Sequence, residues 1–294
     1  MKYDKIYMLT PPAYVTGGVE CSYQLAHTIN ELGGNCYTIF TANVPNPVPN
    51  EYKKYNIQIT QDLEVSKRNL FIIPEIFTGI ANEPALKDLN FAIWWLSVDH
   101  NRGSFNDFNR NDLIHLYQSH YAGKFLTDNG VKNVKILFDP INEDYIDREN
   151  FKKDNIICYS VKGQTFADSI KDLLPGYEFI MIQGMTREQV VETLSRSKVF
   201  IDFGYHPGRD KIPREAASLM NCIITNRVGA ANFYEDIPIA DEYKFEVIEK
   251  DPIIEKIKDC IENYDKKIKD FEEYRTVIRN QKIEFENQIK SNFI

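Results

Sequence analysis

The sequence predicts an α/β protein built from two doubly wound domains, and three stretches carry that prediction. Residues 5–10, an apolar strand candidate, lead through a turn with Gly17 and Gly18 into a helix-spaced pattern, then into a second apolar run at 35–41. Residues 199–236 repeat the plan. The β-branched run 199–203 is followed by a polar glycine loop, a helix opened near Pro213, a buried strand at 222–225 and another glycine loop at 228–232. Between the two halves, residues 148–154 are polar, the composition of a linker. Strand, loop, helix, strand is the unit of sheets whose ligands sit beyond the carboxyl ends of the strands, where helix amino-termini offer free N–H groups to phosphate.

Length and composition agree with this. At 294 residues the chain is long enough for two domains of ordinary size, and 43% hydrophobic with 13% aromatic residues describes a globular protein. No apolar run approaches the roughly eighteen residues of a membrane span. The short charged lead Met1-Lys2-Tyr3-Asp4-Lys5 is unlike a signal peptide, so a cytoplasmic location is expected. The five cysteines (Cys21, Cys36, Cys158, Cys222, Cys260) stand singly, mostly in apolar runs, and read as reduced core residues without a metal pair. A formal net charge of −8 argues against general affinity for nucleic acid or anionic lipid, while leaving room for a local basic cleft.

In the first half, Tyr23, Ala26, Ile29 and Leu32 share one helix face, and Gly33-Gly34 ends that helix. Residues 42–69, rich in Pro, Asn, Tyr and Lys, read as a surface excursion with short strand candidates only. Residues 70–74 read as a strand, 82–88 as part of a connecting helix, and 90–98 as the most apolar strand of this half. That strand ends in the polar tip Ser97-Val98-Asp99-His100-Asn101-Arg102-Gly103. Residues 113–118 form the next strand, and Ser119-His120 opens a helix running to Asn129-Gly130.

The second half starts with a strand at 155–160 and a loop, Val161-Lys162-Gly163-Gln164. An amphipathic helix through Leu174, a strand at 177–182 and the loop Gln183-Gly184-Met185-Thr186 follow. Thr186 caps the next helix, and Gln189 completes a capping box. After residues 199–236 comes a loop or short strand at 237–240. Pro252 starts a helix, and residues 254–289 are strongly helical and charged. Glu215, placed in the first turn of its helix at the expected ligand crevice, has the chemistry to accept hydrogen bonds from sugar hydroxyls. A first-turn acid also simply suits the helix dipole. His27 and His115 take the structural reading.

Residues 199–236 resemble the carboxyl-terminal signature of the retaining, GT-B-fold glycosyltransferases of the glycosyltransferase family 4 type. That signature has a strand, a loop with a first Glu and a Gly, a second Glu opening an E-A-x-x-x-G helix, a strand and a V-G-G loop. Glu215-Ala216 matches the second Glu, Val228-Gly229 the later loop and Gly208 the first glycine; the first Glu falls on Pro207, so the paired-acid motif is incomplete. The amino-terminal string G-G-V-E-C-S-Y-Q-L-A is similar to the same family's G-G-x-E motif, and residues 134–146 resemble its passage into the interdomain linker.

The resemblance implies a GT-B architecture, with two Rossmann-like domains facing across a cleft. It places an acceptor domain at 1–150, a nucleotide-sugar donor domain at 151–264 and a helical tail at 265–294 that packs back on the first domain. It implies that Gly17 and Gly18 face the donor's phosphates, that Lys162 pairs with the pyrophosphate and that the turn at Gly184 and Met185 reads the nucleobase. Asp99 and His100 would face the acceptor and the reacting sugar. The arginine that usually precedes the lysine is missing, and Arg209 is the candidate to supply its charge. Asp210, Asp202 or His206 would replace the missing acid.

The expected activity is transfer of a sugar from a nucleotide-diphosphate sugar, a co-substrate and not a bound cofactor, to a hydroxyl acceptor. A cell-envelope polysaccharide or lipid-linked glycan is the default acceptor, which brings with it possible peripheral contact with a membrane. No D-x-D motif lies in a suitable loop, so no metal is implied; Asp107 among its Asn neighbours is the nearest exception. Two alternatives stay open: a phage-type glycosyltransferase acting on a hydroxylated DNA base, and a non-catalytic GT-B-like subunit that binds nucleotide or glycan. A dinucleotide-binding oxidoreductase ranks third, because no G-x-G-x-x-G follows any strand. Oligomeric state is not encoded in any of these features.

Overall fold

The computed structural model of the chain describes residues 2–100, 110, 112–146, 148, 152–246 and 249–294. It divides into two compact units, Met1–Pro140 with Lys282–Ile294, and Ile141–Gln281.

The first unit holds a seven-stranded parallel sheet. Its strands are β1 (Lys5–Thr10), β2 (Cys36–Phe40), β3 (Gln58–Ile59), β4 (Asn69–Pro74), β5 (Asn90–Trp95), β6 (Leu113–Tyr117) and β7 (Val134–Ile136). They lie in the order β3-β2-β1-β4-β5-β6-β7. The central strands are apolar on both faces because both are covered. Along β1, Ile6 and Met8 join one core with Leu25, Trp94 and Phe285, while Tyr7 and Leu9 join the opposite core with Ile73 and Trp95. Helix α1 (Gly17–Glu31) follows β1, capped by Thr16, whose hydroxyl accepts from the Val19 N–H at 3.3 Å. Helix α2 (His120–Asp128) follows β6. The chain winds outward from β1 to β3 and then returns to place β4 against the other side of β1. The switch point therefore lies at the carboxyl ends of β1 and β4.

Two expectations for this unit change. The excursion 42–69 is not purely superficial: Tyr52 is buried against Val19 and Tyr23, and its hydroxyl donates to the Thr16 carbonyl at 3.0 Å. The connecting helix at 82–88 is absent. The segment forms 3₁₀ turns at Glu75–Asn82 and Pro84–Leu86, since Pro84 removes a donor and the stretch is too short to nucleate an α-helix.

The second unit holds a five-stranded parallel sheet of β8 (Asp154–Ser160), β9 (Glu178–Ile182), β10 (Ser197–Asp202), β11 (Cys222–Asn226) and β12 (Lys244–Phe245), ordered β12-β11-β10-β8-β9. Helices α3 (Gln164–Ile170), α4 (Arg187–Arg196) and α5 (Lys211–Ser218) connect them. The capping box on α4 forms as expected, with reciprocal bonds between Thr186 and Gln189. Here the switch point lies between β8 and β10. The helical carboxyl-terminal stretch consists of α6 (Lys250–Glu262), α7 (Tyr264–Lys267), a 3₁₀ turn at Ile268–Phe271 and α8 (Glu272–Phe293). Pro252 sits at the third position of α6 and not at its start. That is sterically acceptable because first-turn N–H groups have no partner inside the helix.

Candidate functional site

At the second switch point, β8 ends at Ser160 and turns through Val161–Gly163, while β10 ends at Asp202 and runs through a loop into α5. These two strand tips bring together Lys162, Asp202, His206 and Asp210. The Lys162 ammonium donates to both carboxylate oxygens of Asp210, at 2.9 and 2.8 Å. Nδ1 of His206 lies 3.3 Å from Asp210 Oδ2 and 3.8 Å from Asp202 Oδ2. The side chains of Lys162 and Asp210 keep 45% and 26% of their surface, while those of His206 and Asp202 keep 1% and 2%. An outer ion pair thus meets solvent, and an inner pair is closed off beneath it.

Two glycines make this packing possible. A Cβ on Gly204 would overlap the Lys162 side chain and lie 3.0 Å from its carbonyl carbon, so the two loops touch backbone to backbone. Gly229 has φ +59°, and a Cβ there would overlap the His206 carbonyl, which accepts a hydrogen bond from Ala230 N at 2.9 Å. Arg214, buried in α5, secures the loop from behind. It donates through Nε to the Asp210 carbonyl at 3.1 Å and through Nη2 to the Arg209 carbonyl at 2.8 Å.

Electrostatics follow from this geometry. Burial works against the His206 imidazolium, but Asp202 and Asp210 together outweigh it and raise its pKa. Burial likewise opposes the Asp210 carboxylate, and His206 and Lys162 outweigh it, so its pKa is lowered. Asp202, fully enclosed, is pushed up by burial, with His206 opposing. Asp202, His206 and Asp210 carry atoms of metal-ligating type within 4.8 Å of one another. One of these acids, Asp210, is already held by the Lys162 ammonium.

The other expected residues fall as follows. Glu215 is buried in α5, but it is the fifth residue and not in the first turn. Asp210 is the N-cap, and Pro213 fits the first turn because no donor is lost there. Gly208 and Arg209 are buried in the same loop, and the Gly208 carbonyl accepts from Asp210 N at 3.1 Å. Gly184 adopts φ +65° with open space where a side chain would go, and Met185 beside it is half-buried against the sheet core. In the first unit, Gly17 and Gly18 are the exposed first residues of α1. A Cβ on Gly18 would make only an ordinary contact, 3.6 Å from Leu96, so packing does not require glycine there. Asp99 and His100 are exposed in the turn after β5, where His100 N donates to the Ser97 carbonyl at 3.2 Å. Asn101, Arg102, Gly103 and Asp107 lie outside the described residues.

One acid escaped the sequence reading. Glu75 follows β4 at the first switch point, is 3% exposed and accepts from Leu96 N and Ser97 N, both at 3.1 Å. Burial pushes its pKa up to about 7 against the pull of those N–H groups. Its position immediately after the Ile-Ile-Pro end of a buried strand was the available signal.

No protein-family model matches the chain. It is 22% identical over 248 residues to an alpha-1,6-glucosyltransferase of Actinobacillus pleuropneumoniae serotype 7 (strain AP76), covering 77% of this chain and 73% of that one. Among solved structures, a glycosyltransferase from Rickettsia africae ESF-5 superposes with a TM-score of 0.67 at 14% identity, covering 99% of this chain and all (100%) of the other. The Anabaena HepE protein, solved with UDP and glucose, superposes with a TM-score of 0.69 at 10% identity over 98% and 99% of the two chains. Among the described residues no helix is long and apolar enough to cross a membrane. Two parallel sheets flanked by helices, together with these likenesses, give the chain the GT-B fold of the glycosyltransferases.

Proposed function

We propose that the protein is a glycosyltransferase whose second unit binds the diphosphate of a nucleotide sugar at the tips of β8 and β10. The observation that carries the reading is the convergence, at a parallel-sheet switch point, of Lys162 with the loop that leads into the Glu215 helix. The named likenesses support it: a glucosyltransferase in sequence, and in fold a protein crystallised with UDP and glucose.

In the reaction, the bond from the sugar's anomeric carbon to the β-phosphate oxygen breaks. A new bond forms to the acceptor oxygen, whose proton departs, and the diphosphate leaves with the negative charge. Lys162 would stabilise that charge, with the loop at Gly208 and Arg209 beside it. Glu215 would accept hydrogen bonds from ribose or sugar hydroxyls, and the open left-handed turn at Gly184 and Met185 would lie against the base. In the first unit, the amino-terminus of α1 at Gly17 and Gly18 is offered to phosphate, and Asp99 and His100 to the acceptor. Retention of anomeric configuration, transfer without a metal and work in the cytoplasm on a glycan or lipid-linked glycan complete the reading.

The test is turnover. The chain is incubated with UDP-, GDP- and ADP-linked hexoses, and release of free nucleoside diphosphate is followed, with and without EDTA. The reading predicts release from one donor, unchanged by EDTA and lost in Glu215→Ala. Absence of turnover with every donor, alongside binding of one nucleotide, would instead support a non-catalytic binding subunit.

A further inference from the structure

The four charged groups at the second switch point form a balanced set: two acids, Asp202 and Asp210, and two groups able to be cationic, Lys162 and His206. The protonation of His206 follows from its neighbours. The Thr225 hydroxyl donates its proton to the Asp202 carbonyl at 2.9 Å, so towards His206 Nε2, 3.5 Å away, it presents a lone pair. Nδ1 faces the carboxylates of Asp210 and Asp202. Both ring nitrogens face acceptors, which is the environment of an imidazolium. The charged groups facing the ring are Asp202 at the end of β10, Asp210 at the N-cap of α5 and Lys162 after β8.

Lys162 therefore has a competitor for any phosphate, because its ammonium is already held by Asp210. Its backbone is fixed by the contact at Gly204, so only its flexible stem can swing. The ammonium and its carboxylate are the exposed members of the set; the imidazole behind them is enclosed. Resting on the donor reading above, we infer that diphosphate binding is coupled to the proton on His206. The diphosphate draws Lys162 away from Asp210, and the imidazolium stays to hold the carboxylate left behind. Without Lys162 the two acids face a single imidazolium, and losing its proton would leave them with no cation, so wherever the resting imidazole is partly deprotonated, donor binding takes a proton up from the buffer. Asp210 and His206 are positioning residues in this scheme: they act on the donor through Lys162.

The experiment is calorimetric titration of the full chain with UDP, GDP and ADP at about pH 8, above the second phosphate ionisation near 6. It is run in HEPES and in Tris, whose ionisation heats differ. The wild type is expected to take up a fraction of a proton per nucleotide bound, and its affinity to fall as pH rises. Asp210→Asn, which keeps a good N-cap residue, frees Lys162 and is expected to bind several-fold more tightly with the uptake abolished. His206→Gln leaves Asp210 to hold Lys162 alone and is expected to bind several-fold more weakly, also without uptake. A purely structural network would weaken binding in both variants. If one nucleotide binds the wild type with the same heat in both buffers, or both variants lose affinity together, the inference fails and the donor reading stands. If none of the three nucleotides binds, both fall.

Discussion

The two sheets each expose a switch point, and each places an acid there, but they treat it differently. In the first unit Glu75 accepts from the Leu96 and Ser97 N–H groups, and burial carries its pKa up to about 7. In the second, Asp210 meets Lys162 and His206, and its pKa is lowered despite burial. Backbone dipoles fix geometry without neutralising charge, whereas a neighbouring cation does both. The first tip is thus a rigid anchor for the turn bearing Asp99 and His100. The second holds its acid between two side chains, the Lys162 ammonium and the His206 imidazole.

The largest expected effect breaks the second tip. Gly229→Ala puts a Cβ into the His206 carbonyl at a left-handed backbone position, and we expect a loss of roughly 3 kcal/mol, read from the urea midpoint, with nucleotide binding lost as well. An unchanged midpoint would show that this loop is not tightly packed on His206.

A comparable change at the first tip separates the two by pH. An acid whose folded pKa is raised contributes stability that is full below its unfolded value, here near 4.5, and is lost as pH rises through about 7. The wild type is expected to lose roughly 3 kcal/mol from this group across that window. Glu75→Gln should flatten that part of the profile; an identical slope in both proteins would remove Glu75 as its cause. The smallest effect is a control distant from either acid. Thr186→Ala dissolves the capping box of α4 and should cost about 1 kcal/mol, leaving the pH profile unaltered.

Much of this comparison was legible in the residues. Apolar, β-branched runs marked the strands, and the glycine pair after β1 and the Glu215 helix after β10 marked two strand-to-helix turns, because parallel strands need a crossover that is commonly a helix. What stayed hidden depends on contacts distant in sequence. Lys162 and Asp210 are 48 positions apart, and only the pairing of β8 with β10 makes them neighbours. Lys153, in the polar stretch taken for a linker, is half-buried with its ammonium on the carbonyls of Leu194, Ser197 and Leu219, and burial lowers its pKa to about 7. A charged residue beside Asp154 carries no local sign of burial. Glu215 was misplaced by one turn because Pro213 looked like a helix start, and the true start, Asp210, makes no side-chain cap bond.

The central claim is that the donor diphosphate belongs to the second tip. The most direct measurement is the dissociation constant of the tightest-binding nucleoside diphosphate for the wild type, Lys162→Met and His100→Ala, at one pH and salt concentration. The account predicts that Lys162→Met weakens binding about tenfold or more while His100→Ala leaves it unchanged. Equal affinity in Lys162→Met, or a loss confined to His100→Ala, would contradict it.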